Sequence, residues 1–319
     1  MKKYSILSLA ALGLLTVSCS NTDMPGGSSD EVTFSIEMPA EAGTRGFSDG
    51  KAAQTLKWAI YDSTTGEVVL TVDDSDAPGY TYGDLNFTIT YNLVKGKTYD
   101  FVFWADNNSG NYELDYAGKK MTVKYPEAGP MLSDNDNYDA FYNVVKGVKV
   151  TGSASLSTKL RRPFAQINLG TDDIALAATY QTTVSTVEMT VSGAYTVLDL
   201  FSGKASSPVS LKFGAAPVPE GETFPVEKDG KSYDYLAMGY VLTGIEVDKD
   251  NVQSAQQELM STVFTLTFKD GQKNSIEVPN MPVQRNYRTN VYGSLITSPI
   301  DWTIEIAPDF NGPDHNLEQ

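Results

Sequence analysis

Residues 32–38 read Val-Thr-Phe-Ser-Ile-Glu-Met. Val32, Phe34, Ile36 and Met38 alternate with Thr33, Ser35 and Glu37. In an extended chain this places the apolar side chains on one face and the polar ones on the other, the pattern of a strand with one face in a core. The same two-residue period returns at Leu56, Trp58 and Ile60, at Leu85, Phe87 and Ile89, and at Tyr99, Phe101 and Phe103. Further on it predicts strands near 164–169, 184–191, 209–213, 233–242, 263–268, 275–278 and 287–296. Turn-forming runs separate them: Asp-Ser-Thr-Thr-Gly at 62–66, Lys-Gly-Lys at 95–97, and Lys-Asp-Gly at 228–230 and 269–271. Many short strands at regular spacing, broken by such turns, predict an all-β fold of sandwich or barrel type.

Helical periodicity is scarce. The best stretch is 171–178, Thr-Asp-Asp-Ile-Ala-Leu-Ala-Ala, read with Thr171 as N-cap and acids in the first turn. A length of 319 residues with 41% hydrophobic and 11% aromatic content suits two cores of ordinary size. The pattern is weakest at 151–155, Thr-Gly-Ser-Ala-Ser. We therefore expect two tandem β-sandwich domains, at 31–157 and 158–319, with a terminal strand in 301–310.

The N-terminus reads as an export signal over residues 1–18. Lys2 and Lys3 precede an apolar run from Ile6 to about Val17, too short to span a bilayer. Cys19 follows Val17-Ser18 in a stretch resembling a bacterial lipobox, although Thr16 stands where Leu is usual. It is the one cysteine in the chain, and lipidation gives that thiol a use in an exported protein. Several acyl chains anchor stably, at roughly 0.8 kcal/mol per buried CH₂. Residues 19–30 are polar and rich in Gly and Ser, a flexible tether.

Other residues narrow the chemistry. With 24 basic against 40 acidic residues the formal net charge is −16, which repels phosphate backbones and argues against a nucleic-acid partner. The single histidine, His315, stands in a polar tail and does not suit a catalytic triad. Zinc or copper sites of His and Cys and glycine-rich phosphate loops are likewise not supported, so we expect neither an enzyme nor a cofactor. Asp134-Asn135-Asp136-Asn137-Tyr138-Asp139 alternates oxygen ligands like the start of a calcium loop, but Val145 stands where a bidentate Glu belongs, and we read a polar turn.

Two features point to assembly. Ala42-Gly43-Thr44-Arg45-Gly46-Phe47 follows the first mature strand and offers an arginine to a trypsin-like protease. The end strands also match: Phe34-Ser35-Ile36-Glu37-Met38 and Trp302-Thr303-Ile304-Glu305-Ile306 are each aromatic, hydroxyl, Ile, Glu, aliphatic. Either could fill the same sheet groove, as strand exchange between subunits requires. The competing reading keeps each strand in its own domain.

Residues 161–169, Arg-Arg-Pro-Phe-Ala-Gln-Ile-Asn-Leu, and 280–293, which contain Arg285-Asn286-Tyr287-Arg288-Thr289-Asn290-Val291-Tyr292-Gly293, resemble second-domain strands of Bacteroides-type fimbrillins, the subunits of type V pili. That resemblance implies transthyretin-like sandwiches and export as an outer-membrane lipoprotein anchored at Cys19. It implies cleavage by an arginine-specific protease between Arg45 and Gly46. The displaced strand would carry Val32, Phe34, Ile36 and Met38, and the donor strand Trp302, Ile304 and Ile306. The implied partners are other pilus subunits, in a homo- or heteropolymer forming a cell-surface fimbrium. Pro308, Gly312 and Pro313 shorten the donor relative to the family. The alternative is a surface glycan-binding lipoprotein, for which Trp58, Trp104 and Trp302 would be sugar platforms; each sits in an alternating strand pattern.

Overall fold

The computed structural model describes residues 28–37, 53, 55–73, 86–125, 131–132, 136–220, 223–228, 230–244, 258–298 and 302–307. The first half runs β1 (Ser29–Glu37), β2 (Thr55–Asp62), β3 (Val68–Val72), β4 (Asn86–Val94) and β5 (Thr98–Asp106). It continues with the hairpin β6 (Tyr112–Asp115) and β7 (Lys120–Val123), the short β8 (Met131–Leu132), β9 (Phe141–Lys149) and β10 (Ala154–Lys159). The second half runs β11 (Phe164–Thr171), α1 (Ile174–Thr179), β12 (Val184–Asp199), β13 (Ala205–Pro217) and β14 (Thr223–Lys228). It closes with β15 (Lys231–Leu242), β16 (Glu258–Phe268), β17 (Lys273–Val283), β18 (Arg288–Gly293) and β19 (Trp302–Ala307). The protein is all-β, as the alternation predicts. The turns expected at 62–66 and 95–97 close at Gly66 and Gly96, with φ of +73° and +84°, a conformation side-chain-bearing residues rarely adopt.

Two sheets make the first core. A three-stranded sheet, ordered β10-β1-β4, faces a four-stranded sheet, ordered β3-β2-β5-β9. Val32, Phe34 and Ile36 from β1 meet Trp58, Ile60, Phe101 and Phe103 from the opposite sheet. The other face of β2 and β5 is buried too: Ala59, Tyr61, Val102 and Trp104 belong to the second, larger core. The four-stranded sheet therefore lies between both cores.

The second core is built on the path β17-β16-β12-β15-β11-β18-β19. Its branch point is β12. Along Val184–Ser192 one edge pairs with β16. Past the irregularity at Ser192/Ala194, where Gly193 takes φ +97°, β12 meets β15 at Tyr195 and β7 at Val197–Asp199. A bulge bends a strand and raises its twist, so one long strand serves different neighbours at its two ends.

The structure corrects three expectations. The division at 157/158 cuts through β10, and β6, β7 and β8 join the second sheet from the first half of the chain. The weak alternation at 151–155 marks a turn into β10. The helix begins at Ile174, with Asp173 at its N-cap and no side-chain cap hydrogen bond. Thr171 lies in β11, where its hydroxyl is within hydrogen-bonding distance of an Asp173 carboxylate oxygen and of the Gly293 carbonyl. The strand expected at 184–191 runs on to Asp199, because the bulges carry it past the point where strict alternation fails.

Candidate functional site

β1 is the central strand of its sheet. It runs parallel to β10, with Val32 opposite Ala154 and Glu37 opposite Lys159, and antiparallel to β4, with Ser29 opposite Val94 and Glu37 opposite Asn86. Val32, Phe34 and Ile36 are 1%, 0% and 0% exposed. The Phe34 ring lies 4.4 Å from Phe101 and 5.5 Å from Phe103, centroid to centroid. At the two ends of the strand Asp30 pairs with Lys95 and Glu37 with Lys159, each at 3.6 Å. Thr33 and Thr90 share a hydrogen bond at 3.0 Å on the outer face. Because β4 and β10 touch through β1 and not through each other, removal of β1 would leave a slot with a strand edge on either side.

β19 sits differently. Among the described strands it borders its sheet at one end of the path and pairs with β18 alone, Gly293 opposite Trp302 and Arg288 opposite Ala307. Trp302, Ile304 and Ile306 are half-buried, with Thr303 and Glu305 exposed between them. Trp302 and Ile304 pack on the second core. The Tyr292 hydroxyl donates to Glu305 Oε2 at 2.9 Å. The segment leading into β19 is clamped by two carboxylates at the end of β11. Asp173 accepts the backbone N–H of Thr297 at 2.7 Å, its hydroxyl at 2.7 Å, and the N–H of Ile296 at 3.2 Å. Asp172 accepts from Ser294 at 2.8 Å and from Lys231 at 2.7 Å. Burial opposes ionisation of Asp172, but those two hydrogen bonds, the charge of Lys231 and a backbone hydrogen bond together outweigh it and hold the carboxyl below its ordinary value.

The two stretches that carry the family resemblance lie side by side. β11 and β18 are parallel neighbours, Gln166 opposite Arg288 and Thr171 opposite Gly293. Asn168 Nδ2 donates to Asn290 Oδ1 at 2.8 Å in full burial. Arg162 forms a buried ion pair with Asp139. That contact accounts for the end of the acidic 134–139 run.

Trp58 and Trp104 are 1% and 0% exposed. Their indole N–H groups donate to Tyr91 at 3.0 Å and to Asp106 at 2.7 Å, so neither presents a face to a sugar. Trp302 is half-buried on the edge strand. Cys19, Met38, Arg45, Gly46 and His315 lie outside the described residues. The displaced and donor strands named from sequence occupy separate sheets. Lys159 went unremarked in the sequence, while Asp173 and Tyr292 entered only as an acid of a helix's first turn and as part of the 285–293 stretch; their bonds to the 296–297 segment and to Glu305 join distant segments and had no local signal. Among the described residues no group of three or more His, Cys, Asp or Glu is placed to hold a metal. No helix among them is long and apolar enough to cross a membrane.

A family model described as "Family of unknown function (DUF6562)" matches residues 25–319. No curated protein matches the sequence. Among solved structures, the chain is similar to the tip fimbrial protein Mfa3 from Porphyromonas gingivalis with C-terminal truncation. The two share 15% identity over 88% of this chain and 99% of that one, with a TM-score of 0.48. It is also similar to a fimbrial assembly protein from Parabacteroides distasonis, with 12% identity over 88% of this chain and 99% of that one and a TM-score of 0.45.

Proposed function

We propose that this chain, which belongs to the DUF6562 family, is a structural or adhesive subunit of a cell-surface pilus, assembled by strand exchange after a protease cut. It would be exported as a lipoprotein on Cys19, anchored in the outer membrane, and cut at Arg45–Gly46 by an arginine-specific protease. We read its role as mechanical, not catalytic.

One contrast carries the reading. β1 and β19 share a side-chain pattern yet differ in how they are held. β1 has a ladder on both edges and buried knobs, whereas β19 has one ladder and half-buried knobs. Each large apolar side chain moved to full burial contributes roughly 1.5–3 kcal/mol, and each added backbone hydrogen bond about 0.5–1.5 kcal/mol net. An emptied β1 slot would therefore hold a β19-type strand more tightly than the strand's own sheet does. The polypeptide between β1 and β2 spans residues 38–54 and includes Arg45. A cut there leaves β1 held to the body by non-covalent contacts.

The test is the N-terminal residue of the protein in polymers sheared from intact cells. Gly46 is expected. Recovery of Cys19 at the N-terminus of polymerised subunits, or normal polymers from Arg45→Ala, would sink the reading. Arg45→Lys should also block a protease that reads the planar guanidinium fork.

A further inference from the structure

We propose that the strand entering the vacated β1 slot is β19 of a second copy of this chain, in one register. Trp302 takes the place of Phe34, Thr303 of Ser35, Ile304 of Ile36 and Glu305 of Glu37, and Lys159 selects that register by pairing with Glu305. This rests on the strand-exchange reading and gives it a specificity-determining residue.

Side chains alternate along a strand, so a slip of one residue would turn Thr303 and Glu305 into the core. Only even slips compete, and Lys159 separates the slips of two. In this structure Lys159 Nζ lies 3.6 Å from Glu37 Oε1, with the two side chains 25% and 53% exposed. In the proposed register Glu305 inherits that position. With Ile304 at Phe34's place, Lys159 would face Ala307; with Trp302 at Ile36's place, it would face Thr303. With Ile306 at Phe34's place an acid returns as Asp309, but Pro308 then falls at Ile36's position. A proline there has no N–H to give either flanking strand.

Glu305 is also the right group to move. In its own sheet it accepts a hydrogen bond from Tyr292 and meets no cation among the described residues. In the slot it meets a cation. At the far end of the slot Pro299 would stand at Glu31's place and Ser298 at Asp30's, so the new ladder covers the Val32–Glu37 part of the slot, Lys95 gains no ion pair and selection falls to Lys159. Opposite charge across a strand pair favours one register and like charge opposes the others.

The experiment uses two differently tagged full-length copies expressed together. One carries Ser157→Cys, which lies opposite Ser35, and the other carries Thr303→Cys, Asp301→Cys or Glu305→Cys. Polymers are treated with a short bismaleimide and probed for mixed-tag dimers, with each variant copy alone as control. The strongest cross-link is expected for 157 with 303. A strongest link at 301 or 305 overturns the register and leaves strand exchange standing. Polymers that link at none of the three show that β19 is not the occupant, and the donor reading falls with the register. A second arm reads charge. Lys159→Glu should lower polymer yield by up to about five-fold, the weight of a half-exposed pair, more at low salt than at high. Glu305→Lys in the same chain should restore it. Failure of that rescue overturns the role given to Lys159.

Discussion

Arg162 and Asp139 meet as a two-point fork: Nε to Oδ1 at 2.6 Å and Nη2 to Oδ2 at 2.8 Å, with both side chains 1% exposed. The guanidinium also lies 4.5 Å from the centroid of Phe141. Arg162 enters β11 and Asp139 enters β9, so the pair joins the first core to the second. The main chain repeats the junction, since Tyr142 and Arg161 exchange backbone hydrogen bonds at 2.9 and 3.1 Å. Removing one partner from a buried pair leaves an uncompensated charge. Arg162→Ala and Asp139→Ala should each destabilise the fold by about 3–5 kcal/mol. The double variant should cost clearly less than the sum of the two. A denaturant-melt cycle on the four proteins checks this, and strict additivity would show that the pair does not couple the halves.

Deleting residues from 301 onward should leave a folded but weakened monomer. The three apolar side chains of β19 are half-buried, so about 1 kcal/mol each is at stake, roughly 3 kcal/mol in all. Circular dichroism melting measures it. Global unfolding of the truncated chain would mean that β19 is an integral strand of its own sandwich and not an exchangeable one.

Within β19, Ile304→Asp should abolish polymers while Glu305→Gln leaves the monomer unchanged. The first buries an unpaired charge on strand entry. The second keeps an oxygen acceptor for Tyr292. Trp302→Phe is the informative size change. Phe34's site is closely walled by Phe101 and Phe103, and overpacking such a site costs typically about 1–3 kcal/mol. Subunit joints formed by the Trp302→Phe variant should resist heat or detergent better than wild type; weaker joints would place Trp302 elsewhere.

Asp173→Ala should loosen the entry to β19. It removes the acceptor for two backbone N–H groups and two hydroxyls, all at the end of β11. A loss of about 2–3 kcal/mol is expected, since buried donors left unpaired cost roughly 1–3 kcal/mol each and some recover water. Hydrogen exchange should accelerate first at the amides of Ile296 and Thr297, and uniform acceleration across the chain would refute the local clamp.

Acid should weaken the β2–β3 turn in a defined window. The hydrogen bond from Lys97 Nζ to Asp62 Oδ2, at 2.9 Å, and the N–H of Thr64 hold the Asp62 carboxyl below its ordinary value. A depressed folded-state value means this group stabilises the protein at pH above the ordinary carboxylate range. That stabilisation disappears as pH falls through the depressed value. Asp62→Asn should flatten the acid limb of the melting-temperature profile. An unchanged limb would show that the pair contributes nothing to folding.

Much of this protein is local and so was legible in residue order. Which face of Val32–Glu37 is buried follows from the two-residue period, because successive side chains must point opposite ways. The turns at Gly66 and Gly96 follow from glycine's access to positive φ. The likeness of β1 and β19 is visible by eye. Boundary errors came where local pattern is silent: at bulges, which break alternation in β12, and at Thr171, whose hydroxyl bonds outside any helix.

What tertiary structure alone decided is who stands beside whom. Asn168 and Asn290, 122 residues apart, share a hydrogen bond because β11 and β18 run parallel. Glu37 meets Lys159 because β10 returns to run beside the first strand. Alternation states which way a side chain points, but not which distant strand closes the ladder. That choice is made by the joint burial of two cores on either side of β2 and β5, a condition no single segment contains.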